Sequence, residues 1–242
     1  MSKEQYNKLY KDFGKGDTWS DSGNIDGNPR RKIIEHMRES FSGPISILDI
    51  GTGKASNTKW IAEIDDESNW VGIDLLKHKD LKIPKGNTHF SFFEGDFLNK
   101  DFRKNNPNLQ EQRDLIVDQG AILTELEKGE LSDYLKLIYD RLKDGGKFIT
   151  LLMKGESNKV IFFPDGRKRV LHNPEDLTKS PFSDYFEVDK ESIKNPMLFG
   201  YTYQPESDNK PEIKNPIGAK IGDKLQVTLF HTILNKKVKM SV

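Results

Sequence analysis

The sequence predicts an α/β fold in which helices cover both faces of a mainly parallel sheet. Three observations support this prediction. Short apolar runs of strand length alternate with helix-like segments between Ile45 and Met153, several of these runs end at an aspartate, and the first run leads directly into a glycine turn. Such alternation is typical of βαβ units with right-handed crossovers. We therefore expect a doubly wound α/β core.

The predicted strands are short apolar runs bounded by turn residues. In chain order they are Ile45–Ile50, Trp70–Leu75, His89–Phe93, Asp114–Val117, Lys147–Met153, Tyr185–Val188 and Leu225–Leu234. After the fifth strand, Val160–Phe163 and Arg169–Leu171 flank a Pro-Asp-Gly turn, and this pattern predicts a β-hairpin.

Helices are predicted on either side of these strands. One is expected to begin near Pro29, a favoured first-turn residue, and another covers Ser56–Ile64 after the glycine turn. The clearest is Leu131–Leu142, which we expect to end at the glycine pair Gly145-Gly146. Its apolar face consists of Leu131, Tyr134, Leu135, Ile138 and Leu142.

Length and composition restrict the class of protein. The 242 residues are enough for one substantial domain. The sequence contains no cysteine, which excludes disulfides, thiolate metal sites and cysteine nucleophiles. No apolar run approaches the roughly 20 residues needed to span a bilayer, and the first residues are polar, unlike a secretory signal. We therefore expect a cytoplasmic protein with no membrane partner.

The charge balance bears on the kind of partner. Lys plus Arg and Asp plus Glu number 38 each, so the formal net charge is zero. Proteins that bind nucleic acid usually have a basic surplus, so neutrality weighs against a nucleic-acid partner, although Arg167–Arg169 forms a local basic patch. The five histidines are scattered without metal-ligand spacing, so no metal site is expected.

The most informative segment is the glycine turn after the first strand, Asp49-Ile50-Gly51-Thr52-Gly53. Glycines allow a tight turn and close approach of a ligand to backbone, and the helix that follows presents free N–H groups. About twenty residues later, Asp74 ends the second strand, where a carboxylate can accept ribose hydroxyls. The arrangement suits either a nicotinamide dinucleotide or S-adenosylmethionine (SAM).

From Ile45 to Met153 the chain resembles the core of class I SAM-dependent methyltransferases. Asp49–Gly53 resembles the family's acid-x-Gly-x-Gly motif, and Asp74 matches its ribose-binding acid. Gly95-Asp96-Phe97 resembles the turn whose aspartate binds the adenine amino group. Asp118-Gln119-Gly120 resembles the fourth-strand motif beneath the transferred methyl group.

The same resemblance extends to the entry into the fifth strand. Leu142–Phe148 follows the family pattern Leu-x-Pro-Gly-Gly-x-Phe, with Asp144 in place of proline. Ala55 replaces the usual third glycine of the first turn, and Ser56 argues mildly against a nicotinamide enzyme. The cofactor-binding residues implied by the resemblance are Asp49, Gly51, Thr52, Gly53, Asp74, Leu75, Gly95, Asp96, Phe97, Asp118 and Gln119.

The resemblance implies a Rossmann-like sheet of about seven strands with an antiparallel last strand. It also implies methyl transfer from SAM, with S-adenosylhomocysteine (SAH) as product, to an acceptor that we expect to be a small molecule. Asp118 would lie nearest the methyl group and is the candidate catalytic residue. Three alternatives remain open: a protein side-chain methyltransferase, a SAM-binding domain without catalysis, and an NAD(P)-dependent oxidoreductase.

The predicted domain organisation has two parts. Residues 1–44, which include Trp19 in a Gly- and Asp-rich loop, form a helical and loop extension expected to cover the cofactor site as a lid. Residues 45–242 form the methyltransferase domain. Within it we expect a hairpin insertion near residues 156–172 and a long loop near residues 204–224.

Overall fold

The computed structural model describes most of the predicted core. The residues described are 35–53, 67–77, 81, 89–118, 120–162, 168–192, 197–202 and 224–238. Trp19, the predicted helix Ser56–Ile64, Gln119 and residues 204–223 of the predicted long loop lie outside these ranges. Of the predicted lid, only its last ten residues fall inside them, and residues 35–39 are helical.

The described strands form one mixed sheet that confirms the predicted fold. The strands are β1 (Ser46–Ile50), β2 (Asn69–Asp74), β3 (Phe90–Glu94), β4 (Arg113–Asp118), β5 (Leu142–Lys154), β6 (Val160–Phe162), β7 (Lys168–His172), β8 (Phe186–Val188), β9 (Met197–Thr202) and β10 (Lys224–Lys236). The main path runs β3-β2-β1-β4-β5-β10-β8. Strands β1 to β5 are parallel, and β10 is antiparallel to both β5 and β8.

Both faces of the sheet are buried, as a doubly wound fold requires. Along β1, Leu48 and Ile50 belong to one core cluster, whereas Ile47 belongs to a second cluster on the other face. The first cluster packs under helix α2 (Lys128–Arg141), and Met37 from the N-terminal helical residues packs into the second. The continuous apolar run in the sequence is therefore explained by burial on two sides.

Helix α2 forms where its apolar periodicity predicted it. Its buried side chains are Leu131, Tyr134, Leu135, Ile138 and Tyr139. The backbone N–H of Glu127 donates to the Glu130 carboxylate at 3.2 Å, which satisfies a donor at the amino end of the helix. Helix α1 (Lys100–Asn105) and the four-residue helix α3 (Phe182–Tyr185) are shorter. None of the helices described in the structure combines the length and apolarity needed to cross a bilayer.

The prediction that α2 ends at the glycine pair was wrong. The helix ends at Arg141, and Leu142 already pairs with Arg113 of β4. The register then shifts, so that Lys147 pairs with Leu115 and the segment between forms a bulge in β5. Gly145 has φ +76°, and a Cβ on Gly146 would lie 2.8 Å from the Lys143 carbonyl oxygen. The glycines are therefore required by the bulge and not by a helix end.

The two strands of the predicted hairpin are present and lie over the carboxyl end of β4, whereas the predicted Pro-Asp-Gly turn between them lies outside the described residues. Strands β6 and β7 pair antiparallel, and β7 also pairs in parallel with the end of β5, where Leu171 faces Met153. Leu229 of β10 pairs with Met153 from the opposite side. Strand β7 therefore lies on the same side of β5 as β4. Strand β4 pairs with β5 only as far as Thr150, so the hairpin stands beyond its end.

The carboxyl-terminal part of the chain departs from the prediction in one element. The predicted strand Leu225–Leu234 is confirmed and is slightly longer, as β10. Strand β9, which the sequence analysis did not predict, pairs antiparallel with its first half, from Lys224↔Thr202 to Leu229↔Met197. The predicted loop near residues 204–224 is thus bordered by a strand pair.

Candidate functional site

The strand order creates a crevice at the carboxyl ends of β1 and β4. In the order β3-β2-β1-β4-β5, the chain adds β2 and β3 on one side of β1 and then adds β4 and β5 on the other side. Ligands of open α/β sheets bind at such a switch point. Side chains predicted to bind the cofactor end the neighbouring strands at this edge: Asp74 on β2 and Asp118 on β4. The topology thus brings together residues from separate parts of the chain.

The glycine turn after β1 is held against β2 by backbone hydrogen bonds. Both Gly51 and Gly53 have positive φ, +71° and +55°. The N–H groups of Gly51 and Thr52 donate to the Ile73 carbonyl oxygen at 2.8 and 3.2 Å. The Thr52 hydroxyl donates to the carbonyl oxygen of Asp49 at 2.8 Å, and the Asp49 side chain is fully buried under the turn. The turn is therefore a fixed part of the sheet edge.

Asp74 connects this turn to the end of β2. Its Oδ2 accepts a hydrogen bond from the Gly53 N–H at 2.9 Å, and the side chain is buried. Leu75, which follows, is half-buried. Glu94 ends β3 in register with Asp74, and it is exposed. Sequence reasoning did not select Glu94 as a site residue, although it ends a strand as the selected aspartates do.

The loop after β3 presents one acid and buries one ring. Asp96 is exposed, and its Oδ1 accepts the Leu98 N–H at 2.8 Å in an Asx-type turn. Phe97 is 2% exposed, and its ring packs in the core cluster under α2. The Phe102 ring of α1 packs over Gly95, so a Cβ there, which would lie 2.3 Å from that ring, would force the ring to move.

Asp118 is a buried anchor for the loop that follows β4. It is fully buried and accepts four donors. These are the backbone N–H groups of Ala121, Ile122 and Leu123 and the hydroxyl of Tyr134, at 2.8 to 3.2 Å for the amides and 2.7 Å for the hydroxyl. Burial raises the pKa of Asp118, and these hydrogen bonds act against that rise. This geometry does not favour the predicted use of Asp118 as the acceptor's base.

The loop after β4 is in close contact with the glycine turn. A Cβ placed on Gly51 would lie 2.2 Å from the Cβ of Ala121, so the two backbones approach as closely as only glycine allows. Gly120 has φ +88°, which gives the loop its direction. Sequence reasoning identified Gly51 as a ligand-binding glycine and missed this second reason for it, because nothing in the local sequence indicates Ala121 as its neighbour.

The predicted basic patch contains two paired cations. Lys168 Nζ lies 3.0 Å from Glu127, and Arg169 Nη1 lies 2.6 Å from Glu125. Arg167 lies outside the described residues. The two pairs attach the β6–β7 hairpin to the segment after β4. Across the described ranges, no group of three His, Asp or Glu side chains has the arrangement of a metal site.

Comparison with known proteins supports the fold at low sequence identity. No protein-family model matches the chain, and no curated protein matches it in sequence. The 1,6-didemethyltoxoflavin-N1-methyltransferase of Burkholderia thailandensis, solved with its namesake ligand and SAH, is similar with a TM-score of 0.65 at 15% identity. The alignment covers 98% of this chain and 87% of that one.

Two further solved structures are similar in fold. For the N-methyltransferase NodS of Bradyrhizobium japonicum, solved with SAH, the TM-score is 0.52 at 15% identity, covering 96% of this chain and 98% of that one. For an O-methyltransferase family protein of Burkholderia thailandensis it is 0.57 at 12% identity, covering 96% and 62%. The chain therefore has the Rossmann-like fold that these methyltransferases share.

Proposed function

We propose that the protein binds SAM in the crevice at the carboxyl ends of β1, β2 and β4 and transfers its methyl group to a small-molecule acceptor. The observation that carries the proposal is the glycine turn at the switch point, fixed by Ile73 and by the Asp74 carboxylate. Neighbours in fold include two methyltransferases solved with SAH, one of them also with its small-molecule ligand. The fold and this turn together favour SAM over a nicotinamide.

The residues at this edge have the chemistry that SAM requires. Asp74 and Glu94 would accept the ribose hydroxyls, and the exposed Asp96 would accept the adenine amino group. The glycine turn and the buried Asp49 would hold the methionine end. Among the other predicted contacts, Leu75 would line the ribose side and Phe97 would contribute backbone only. When bound, SAM supplies an electrophilic methyl group on a sulfonium ion.

The protein's own contribution would be alignment of donor and acceptor and exclusion of water. The β6–β7 hairpin stands beyond the end of β4 and would wall the acceptor side of the crevice. Residues 1–44 would act as the lid. The Asp118 carboxylate already accepts hydrogen bonds from four donors, so we assign it the role of positioning the loop after β4. An acceptor atom with a free lone pair at neutral pH needs no base.

The alternatives differ from the proposal in measurable ways. A protein side-chain methyltransferase would bind SAM and label polypeptide acceptors, and a non-catalytic domain would bind SAM without turnover. An oxidoreductase would bind NAD or NADP instead. We include a cytoplasmic location in the proposal, because the sequence contains no cysteine and disulfides are typical of proteins in oxidising compartments.

The test is a thermal-shift series on the purified protein with SAM, SAH, NAD and NADP, followed by calorimetry. A ligand at a hundred times its dissociation constant adds about 2.7 kcal/mol of stability. We expect stabilisation by SAM and SAH alone. Asp74→Asn keeps an oxygen for the Gly53 N–H but loses the charge, and it should weaken SAH binding by about 1–3 kcal/mol. Stabilisation by a nicotinamide alone, or by no ligand, would refute the proposal.

A further inference from the structure

The buried hydroxyl of Tyr134 is connected to the proposed cofactor site by a short series of contacts. We propose that Tyr134 is a positioning residue for SAM: it fixes the Asp118 carboxylate, which fixes the loop carrying Ala121, which supports the glycine turn at Gly51. The inference rests on the proposed function, and it assigns a role in cofactor binding to a side chain of the helix α2 core.

The first contact joins α2 to β4. The Tyr134 hydroxyl donates to Asp118 Oδ2 at 2.7 Å, and the two side chains are 2% and 0% exposed. The ring packs edge-on against Phe148, with centroids 6.5 Å apart, in an apolar cluster. A phenylalanine would fill this site as well, so the hydroxyl serves the carboxylate and not the packing.

The second contact joins Asp118 to the loop after β4. The N–H groups of Ala121, Ile122 and Leu123 converge on the one carboxylate. Because the carboxylate is buried and accepts charge-assisted hydrogen bonds, its rotamer determines where these three amides lie. The Tyr134 hydroxyl donates a side-chain hydrogen bond to the same carboxylate, and it comes from helix α2.

The third contact joins the loop to the glycine turn. The Ala121 side chain lies against the Cα of Gly51, in the space that a Cβ would occupy. Packed contacts of this kind transmit displacements, since protein interiors have little free volume. A shift of Ala121 would therefore move the turn whose backbone is proposed to bind SAM.

The test compares two tyrosine variants of the same helix. Tyr134→Phe removes the hydrogen bond to Asp118. Tyr139→Phe is the matched control, because its hydroxyl donates at 3.1 Å to the Lys237 carbonyl oxygen, away from the crevice. In calorimetry with SAH, we expect Tyr134→Phe to bind about three- to tenfold more weakly, the loss of one hydrogen bond, and Tyr139→Phe to bind as the wild type does.

A double-mutant cycle separates positioning from general loosening. Ala121→Gly removes the side chain that touches Gly51 and should also weaken SAH binding several-fold. If Tyr134 acts through Ala121, the double variant binds no more weakly than the weaker single variant, whereas independent effects would multiply. The same cycle measured on unfolding by urea reports stability separately.

The outcomes distinguish this inference from the proposed function. If the wild type binds neither SAM nor SAH, both are overturned. If the wild type binds and Tyr134→Phe matches Tyr139→Phe, or if the cycle is additive, only the positioning role is overturned. If Tyr134→Phe does not fold, Ala121→Gly alone decides: unchanged SAH affinity in that variant overturns the inference, and a several-fold loss supports it.

Discussion

Gly51 and Gly53 share a positive φ but have different surroundings. Left-handed backbone costs a residue with a side chain about 1–2 kcal/mol. At Gly53 we expect that to be the main cost, because the nearest atom of the described residues to an added Cβ would be the Gly51 carbonyl oxygen at 3.9 Å. At Gly51 the added Cβ would collide with Ala121 at 2.2 Å. One glycine is needed for conformation, and the other for conformation and contact.

This difference predicts unequal losses of stability. Gly53→Ala should lower the free energy of unfolding by about 1–2 kcal/mol, and Gly51→Ala by about 1–3 kcal/mol more, because the loop at Ala121 must move. Urea denaturation followed by circular dichroism measures both values. Equal losses would show that the contact with Ala121 does not constrain the turn.

Residue-level prediction from sequence succeeded where chemistry is local. The turn at Gly51–Gly53 and the aspartates that end β2 and β4, Asp74 and Asp118, lie where short motifs predicted them. The partners of Asp118 did not follow. Tyr134 is separated from it by a loop and two helical turns, and its place on the apolar face of α2 does not indicate a hydrogen bond to Asp118.

At the scale of elements, strand periodicity was a better guide than turn residues. Strands β1 to β5 and β10 formed where apolar runs predicted them, since both faces of each pack against the core clusters, although the apolar side chains of β3 are only half-buried. Gly145 and Gly146 were misassigned, because a glycine pair suits a bulge and a helix end equally well. Strand β9 was missed. Its pairing with β10 depends on contacts between segments that the local pattern does not contain.

The attachment of the β6–β7 hairpin predicts unequal coupling across its two ion pairs. The Arg169 and Glu125 side chains are 7% and 21% exposed, whereas those of Lys168 and Glu127 are 31% and 59% exposed. Water screens the second pair, so its coupling energy should be below about 1 kcal/mol. The first should be about 1–3 kcal/mol, since removing one partner leaves a largely buried charge.

Double-mutant cycles to alanine at each pair measure these energies from urea denaturation. The exposed pair is the matched control, because it joins the same two segments. Hydrogen exchange at β6 and β7 should also rise in Arg169→Ala more than in Lys168→Ala. Equal coupling in the two cycles would mean that burial of the Arg169 pair does not strengthen the attachment.

Across the whole molecule, the carboxyl ends of the strands carry the proposed cofactor site, whereas side chains at their amino ends stabilise the fold. At the amino edge, Asp114 accepts the N–H and hydroxyl of Ser46 and lies 2.8 Å from Lys143 Nζ, which joins the starts of β1, β4 and β5. Burial raises the pKa of Asp114, but the hydrogen bonds from Lys143 and Ser46 outweigh it, so the pKa lies below its ordinary value. Asp114 therefore stabilises the fold until the pH falls through that lowered value.

A buried histidine makes the fold sensitive to milder acid. His172, at the end of β7, is 2% exposed and packs edge-on against Phe182. Burial lowers the pKa of His172 to about 4, against the opposing charge of Asp176. In the unfolded chain the pKa of a histidine is about 6.5. Between about pH 4 and this value, the unfolded state therefore binds more protons than the folded state. Stability should therefore fall as the pH decreases from about 6.5 to about 4.

The measurement is the free energy of unfolding in urea at several pH values across this window. At pH 4 the His172 contribution should be about 3 kcal/mol smaller than at pH 7, at 1.36 kcal/mol for each pKa unit. His172→Gln removes the titration and should flatten the profile, whereas His36→Gln, which changes an exposed side chain, should follow the wild type. The raised pKa of Asp118 acts in the opposite direction but is common to all three proteins, so it cancels in their differences. Parallel profiles for wild type and His172→Gln would mean that His172 takes up its proton without unfolding, through local opening of the β7 end.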